Sequence, residues 1–424
     1  MYFSEYVVSE RVSSLMDPLG FMKPAGVLGD QLFQQFTVLS NHPAYHGVLC
    51  VILKFLSDRE QRRGTSIGRE FRRAEILWGV LNAMHKSTVI NIRKYARLVD
   101  DAEDTRKISL DAIPTTHPIY ARLGYGTLGH YAQPSISWGL LEKDGRRLTA
   151  AGQRLAASAA VRGDVDLNEW LTRWMDGREL AIGDLQAVAE RFHIAAMPAS
   201  TEREVWVDLI DAWTSANPAT RCLWESPLEA GLLEAADADP AQHDEYLAVL
   251  AVRYPSLGKP VRAVVEFEAL SGYIQFVFDL QLAHLQYADA GFEELQGPLK
   301  QELAQFAIAL ARDSIPAGEP RLDAGGIFAR LAASRPHPQD IDHLVCDHHV
   351  AHQRGKGVSP LMEKGQLLAR DKIDRAELGK FIEMLVQAVG PEDHLRLLRY
   401  RSRRDWHFGR CRRYHDYAYG VAVA

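Results

Sequence analysis

The sequence predicts a mainly α-helical protein of several domains, with small β hairpins set between helices. Three observations lead there. Apolar residues recur at helical spacing through most of the chain, while strict alternation is scarce. A few tight Asp- and Gly-containing turns are flanked by leucines, the composition of hairpin tips. The chain has 424 residues, more than the roughly 100–200 of one domain.

The elements follow in order. Residues 1–72 read as an N-terminal helical region: Leu28, Leu32 and Phe36, then Val48, Ile52 and Phe55, recur at helical spacing over 25–57. The stretch "DREQRRGTSIGREFRR" reads as a basic connector, and "AEILWGVLNAMHK" as an amphipathic helix with Ile76, Leu77, Val80, Leu81 and Met84 on one face. Within 73–160, a short helix containing "SISWGLL" precedes the turn "EKDGRR", where Asp144-Gly145 lies between Leu141 and Leu148. Thr149 is placed to cap the helix "AAGQRLA" that follows. Residues 161–335 read as a central helical domain. It has short helices broken by Pro198, Pro218, Pro227 and Pro240, an acidic linker "EAADADPAQHDE", and a helical hairpin over 260–312. The remainder, 336–424, is a basic unit rich in histidine and arginine.

Two resemblances attach to these residues. Helix, "GLLEKDGRRLT" hairpin and "AAGQRLA" helix resemble the second half of a winged helix-turn-helix, over about 73–157. That resemblance implies a DNA-contacting wing carrying Arg146 and Arg147. The segment "DPLGFMKPAGVLGDQLFQQFTVLSNHPAYHGVLC" resembles the start of bacterial proteins encoded beside helicases and methyltransferases in phage-defence islands. It implies a context and carries no catalytic residue.

Charge limits the class of function. The formal net charge is −6, so nucleic-acid binding would have to come from local basic patches. The strongest is "HLRLLRYRSRRDWHFGRCRRYHDYAYG". Arg396, Arg399, Arg401, Arg403, Arg404, Arg410, Arg412 and Arg413 there alternate with aromatic residues, suiting phosphate contacts and base stacking. The other reading of these arginines is a helix paired with the acidic linker or with a partner subunit's acids.

The stretch "CDHHVAHQRGKG" offers Arg354 and Lys356 as further phosphate contacts. Most of its composition fits a helix over 340–353 capped by Gly355, with His352, Arg354 and Lys356 complementing the dipole. It lacks the spacing of a nucleotide-binding loop. A second hairpin tip, Glu363-Lys364-Gly365-Gln366, follows before a helix from Arg375.

His348 and His352, with Cys411 and His415, are chemically suited to zinc. Otherwise no cofactor is expected. Glu266 and Glu268 stand close together in "VEFEALSGY", and Asp371, Lys372 and Asp374 in "ARDKID" mimic part of a metal-dependent nuclease, where carboxylates bind Mg²⁺ beside a lysine.

The expectation is a non-catalytic DNA-binding subunit of a multi-protein defence or DNA-processing system. Its partners would be double-stranded DNA and other subunits. The alternatives are a nuclease using the C-terminal His/Cys/Asp cluster and a protein–protein scaffold. Four scattered cysteines, Cys50, Cys222, Cys346 and Cys411, and the lack of a leader or long apolar run point to the cytoplasm and away from membranes.

Overall fold

In a computed structural model of the chain, the described residues are 17–32, 35–36, 42–63, 67–102, 106–110, 126–177, 179–216, 252, 255, 258–287, 297–368, 373–402 and 408–420. Their architecture is mainly α-helical. In chain order the first nine helices are α1 (Met22–Leu32), α2 (Ala44–Arg63), α3 (Ile67–Met84), α4 (Ile92–Asp100), α5 (Thr127–Ser137), α6 (Ala150–Ala159), α7 (Leu167–Gly177), α8 (Ile182–Phe192) and α9 (Ser200–Ala216). Then come α10 (Gly258–Tyr287), α11 (Gly297–Arg312), α12 (Ile315–Gly318), α13 (Ile327–Ala333), α14 (Pro338–Gly355), α15 (Arg375–Gln387), α16 (Pro391–Ser402) and α17 (Phe408–Tyr419). Strands are short and pair antiparallel: β1 (Lys107–Ser109) with β4 (Glu179–Ala181), β2 (Val161–Arg162) with β3 (Val165–Asp166), and β5 (Met362–Glu363) with β6 (Gln366–Leu367).

The chain divides into two compact units, one of residues 1–32 and 229–406 and the other of 33–228 and 407–424. They part at 32/33, 228/229 and 406/407 rather than at 72/73, 160/161 and 335/336, the boundaries read from composition. No helix among the described residues is long and apolar enough to cross a membrane.

The unit of 33–228 and 407–424 is built on α2, α3, α6, α7 and α8. Leu49, Ile52, Leu53 and Leu56 of α2 meet Ile76, Leu77, Val80 and Leu81 of α3, and Leu185, Val188 and Phe192 of α8 complete the cluster. The arginine-rich connector expected near 58–73 is helix on both sides of 64–66. Two of its arginines are paired: Arg59 with Glu70 (3.3 Å) and Asp176 (2.7 Å), and buried Arg72 with Glu75. The last helix is part of this core. Cys411, Tyr414, Tyr417 and Ala418 of α17 are buried. Tyr414 stacks on Trp138 and donates or accepts at His46 Nε2 over 2.7 Å. Tyr417 donates to buried Glu202 (2.7 Å), which also receives Arg162 (3.0 Å). Burying these ions is tolerable because each is paired and hydrogen-bonded.

The other unit is organised by α10, a 30-residue helix apolar on nearly every side and therefore wrapped by neighbours. Helices α1, α11, α12, α14 and α16 all pack on it. Gly272 sets the closest approach: a Cβ there would run into the Leu398 carbonyl of α16. Beside it, Ser271 and Ser402 hydroxyls meet at 2.5 Å. The helix expected over 340–353 and the hairpin at 363–366 both form. The helix ends later than expected, because Gly355 is still helical, Lys356 is the C-cap and the positive φ falls on Gly357 (72°).

Candidate nucleic-acid interface

The segment from α5 to α6 is a helix, a tight turn and a helix held together by short-range bonds. At the start of α5, the buried Glu75 carboxylate accepts the Thr127 N–H. At its end Gly139 takes φ 70°, and Leu140 N–H returns to Ser135 O (2.8 Å). Leu141 then bridges Leu148, Glu142 N–H bonds Arg147 O (2.8 Å), and Gly145 N–H bonds Glu142 O (2.8 Å).

Asp144 fixes the tip. One carboxylate oxygen accepts the Arg146 and Arg147 amides (3.0 and 3.1 Å), and the other accepts Arg147 Nε (2.6 Å). Those bonds hold its carboxyl well below the usual range, at about 2. Gly145, at φ 68°, lets the tip fold back over Ala132 and Ile136 of α5. Thr149 caps α6, as expected: its hydroxyl accepts Gly152 N–H (3.1 Å) and donates to Gly139 O (2.6 Å).

On the outside of this unit, α5 presents Gly129, Gln133 and Ser137 at four-residue spacing, all exposed. The tip presents Lys143, Arg146 and Arg147, also exposed. Arg147 is turned onto Asp144, whereas Lys143 and Arg146 have no ionic partner among the described residues.

The arginines of 396–413 have a different fate. Arg399 is buried and paired with Glu268 of α10 (3.3 Å), itself fully buried. Arg401 pairs with Asp279 of α10 and lies over the Phe381 ring (4.8 Å). Arg396 pairs with Asp393 (2.9 Å), one turn away. Arg412 pairs with Asp416 (3.3 Å), while Arg410 and Arg413 are half-buried on α17. Arg403 and Arg404 lie outside the described residues. In the other basic stretch, Arg354 pairs with Glu363 (2.7 Å) and Lys356 Nζ donates to Asp17 O (3.1 Å). Arg354, Arg396, Arg399, Arg401 and Arg412 are thus paired with acids on helices and a strand of the chain itself rather than with the acidic linker or a partner subunit.

The histidines of "CDHHVAHQRGKG" clasp the chain at 17–20. His348 Nε2–H donates to Leu19 O (2.8 Å), and its Nδ1 accepts Arg330 (3.0 Å). A carbonyl only accepts and a guanidinium only donates, so the tautomer is fixed and the ring is neutral. His349 repeats the logic, with Nδ1–H to Pro18 O (2.9 Å) and Nε2 accepting Leu361 N–H (2.9 Å). Burial is the main cause that pushes His348 down to about 4 and lowers His349.

His348 therefore has no free lone pair for zinc. His352 lies against Gly20, Cys411 is in the core around α17, and His415 meets Asp416 (3.3 Å). Among the described residues, no three metal-ligating side chains gather. The nuclease-like carboxylates are occupied too. Glu266 accepts Arg262 (2.6 Å) and Ile315 N–H (2.8 Å), and Asp374 caps α15. Asp371 and Lys372 lie outside the described residues.

Sequence reasoning passed over Lys143, although it stands in the same "EKDGRR" as Arg146. It also passed over Glu268 and Asp279 as the partners of α16. Their eleven-residue spacing, about three helical turns, was a readable sign of one acidic face. No family model matches this chain, and no curated protein and no solved structure matches it.

Proposed function

We propose that this protein binds double-stranded DNA without catalysis, through the α5–turn–α6 unit, with Lys143 and Arg146 on backbone phosphates. The observation that carries the reading is the contrast in pairing. The tip of 141–148 holds two exposed cations without a partner among the described residues, on a turn braced by Asp144 and seated on α5. A rigid tip loses little conformational entropy when its side chains meet phosphate. The neighbouring surface of α5 is small and polar, so a duplex can approach closely there. The resemblance to a winged helix-turn-helix points the same way.

Fluorescence anisotropy of a labelled duplex, titrated across salt concentrations, tests the reading. The native chain should bind with a steep salt dependence and little sequence preference. Replacing both Lys143 and Arg146 by alanine should lower the log–log salt slope by about 1.8, two contacts at about 0.9 each. Absence of binding at low salt, or an unchanged slope in the double variant, overturns it.

A further inference from the structure

Where α3 ends, the chain builds a second feature that the DNA reading does not use. His85 N–H still reaches Leu81 O (3.2 Å), and Lys86 then takes φ 57°, a left-handed conformation natural to glycine and unfavourable for lysine. Ser87 N–H turns back to Asn82 O (2.9 Å).

Two side chains of α3, one turn apart, fix the segment opposite. Trp78 Nε1 donates to Phe192 O (2.8 Å), and buried Asn82 accepts Ile194 N–H at Oδ1 (2.7 Å) while donating to Trp78 O (2.8 Å). His193 is thereby clamped on both sides. Its ring lies parallel to that of His85, with centroids 3.5 Å apart and 6° between planes. Ser87 Oγ sits 3.2 Å from His85 Nδ1 and 3.4 Å from His193 Nδ1, which keeps the pair aligned. His193 is half-buried, and burial, His85 and Arg162 push it down to about 4, so the covered ring is neutral at pH 7. His85 is exposed, as are Lys86 beside it and Arg191 two residues before His193.

The spacing of the pair is close to the about 3.4 Å rise between stacked bases. A flat ring, backed by a second ring and flanked by cations, has the chemistry of a base-stacking site. We propose that His85, backed by His193, is a stacking platform for an unpaired nucleobase, with Lys86 on the adjoining phosphate. This rests on the nucleic-acid reading and extends it from duplex to a single-stranded segment.

A short single-stranded DNA carrying 2-aminopurine at its centre tests the platform, because the fluorescence of that base falls when it stacks. The native chain should bind it and quench it. His85→Ala should weaken binding by roughly tenfold and remove the quenching, while His85→Phe should restore both. The proposal is overturned if the native chain does not bind the single strand, if His85→Ala behaves as native, or if His85→Phe is no better than alanine. Binding that appears only with added Zn²⁺ also overturns it and makes the pair a metal site. Duplex binding is measured in parallel with the Lys143/Arg146 double variant. A failure there removes the reading of the 141–148 turn and leaves the platform to be judged on the single strand alone.

Discussion

Two arginine-bearing regions of this chain lie in opposite environments. In α16, Arg399 and Arg401 are drawn in by Glu268 and Asp279 of α10, and Arg401 covers Phe381. In the 141–148 turn, Arg147 is held by Asp144, and Lys143 and Arg146 stay exposed. The denser arginine cluster is the one committed to holding the fold, and the sparser one keeps charge available. Arginine density alone therefore does not report a binding face. What decides is whether a carboxylate lies on the opposing element, because a paired and desolvated guanidinium has little left for phosphate.

The contrast breaks most sharply at Glu268. Glu268→Ala takes the fully buried carboxylate away from buried Arg399 and should cost about 3–5 kcal/mol in chemical denaturation of the unit built on α10. Replacing both residues by apolar ones of similar volume should recover most of that loss. If the single variant unfolds no more easily than the native chain, the α16 arginines are not structural.

Gly272→Ala comes next. Its Cβ meets backbone, the Leu398 carbonyl, which cannot rotate away, so α10 and α16 must separate; about 1–3 kcal/mol is expected from the denaturation midpoint.

A third expectation concerns pH. His348 is lowered in the fold to about 4 from an unfolded value near 6.5, so the unfolded state binds more protons between those values. Stability should be level above about pH 6.5 and fall as pH drops towards 4. His348→Gln, which can still donate to Leu19, should flatten part of that slope in denaturation series run across pH.

At the turn, effects on stability should be small and effects on binding large. Lys143→Glu with Arg146→Glu should leave the midpoint within about 0.5 kcal/mol, as for exposed surface sites, while abolishing duplex binding. The mildest change is Asp144→Ala. It removes three bonds at an exposed tip, so thermal unfolding should not move, yet duplex affinity should fall because the cations are no longer presented on a rigid turn.

Much of the local structure was legible in the chain. Helical spacing located α3, α10 and α11, and Asp144-Gly145 with Thr149 located the turn and the helix cap. Leu-Met before Glu363 and Leu-Leu after Gln366 located the β5–β6 hairpin. These features depend on residues within one or two turns of each other, where spacing along the chain equals proximity in space. The β1–β4 pair escaped detection because its strands are three residues each and lie some seventy residues apart in sequence, too short for any alternation to show.

What the sequence could not contain was the assignment of partners across the chain. Nothing near Arg399 in sequence announces Glu268, and nothing near His348 announces Leu19 and Arg330. The sequence by itself determined the helices, their caps and the tight turns, because backbone geometry and hydrogen bonding over a few residues set them. Only the tertiary structure decided which charges are consumed and which remain, because that depends on which helices pack and whether water is excluded between them. Among the described residues it pairs Arg396, Arg399, Arg401 and Arg412 and leaves Lys143 and Arg146 exposed on a turn of eight residues, Leu141 to Leu148.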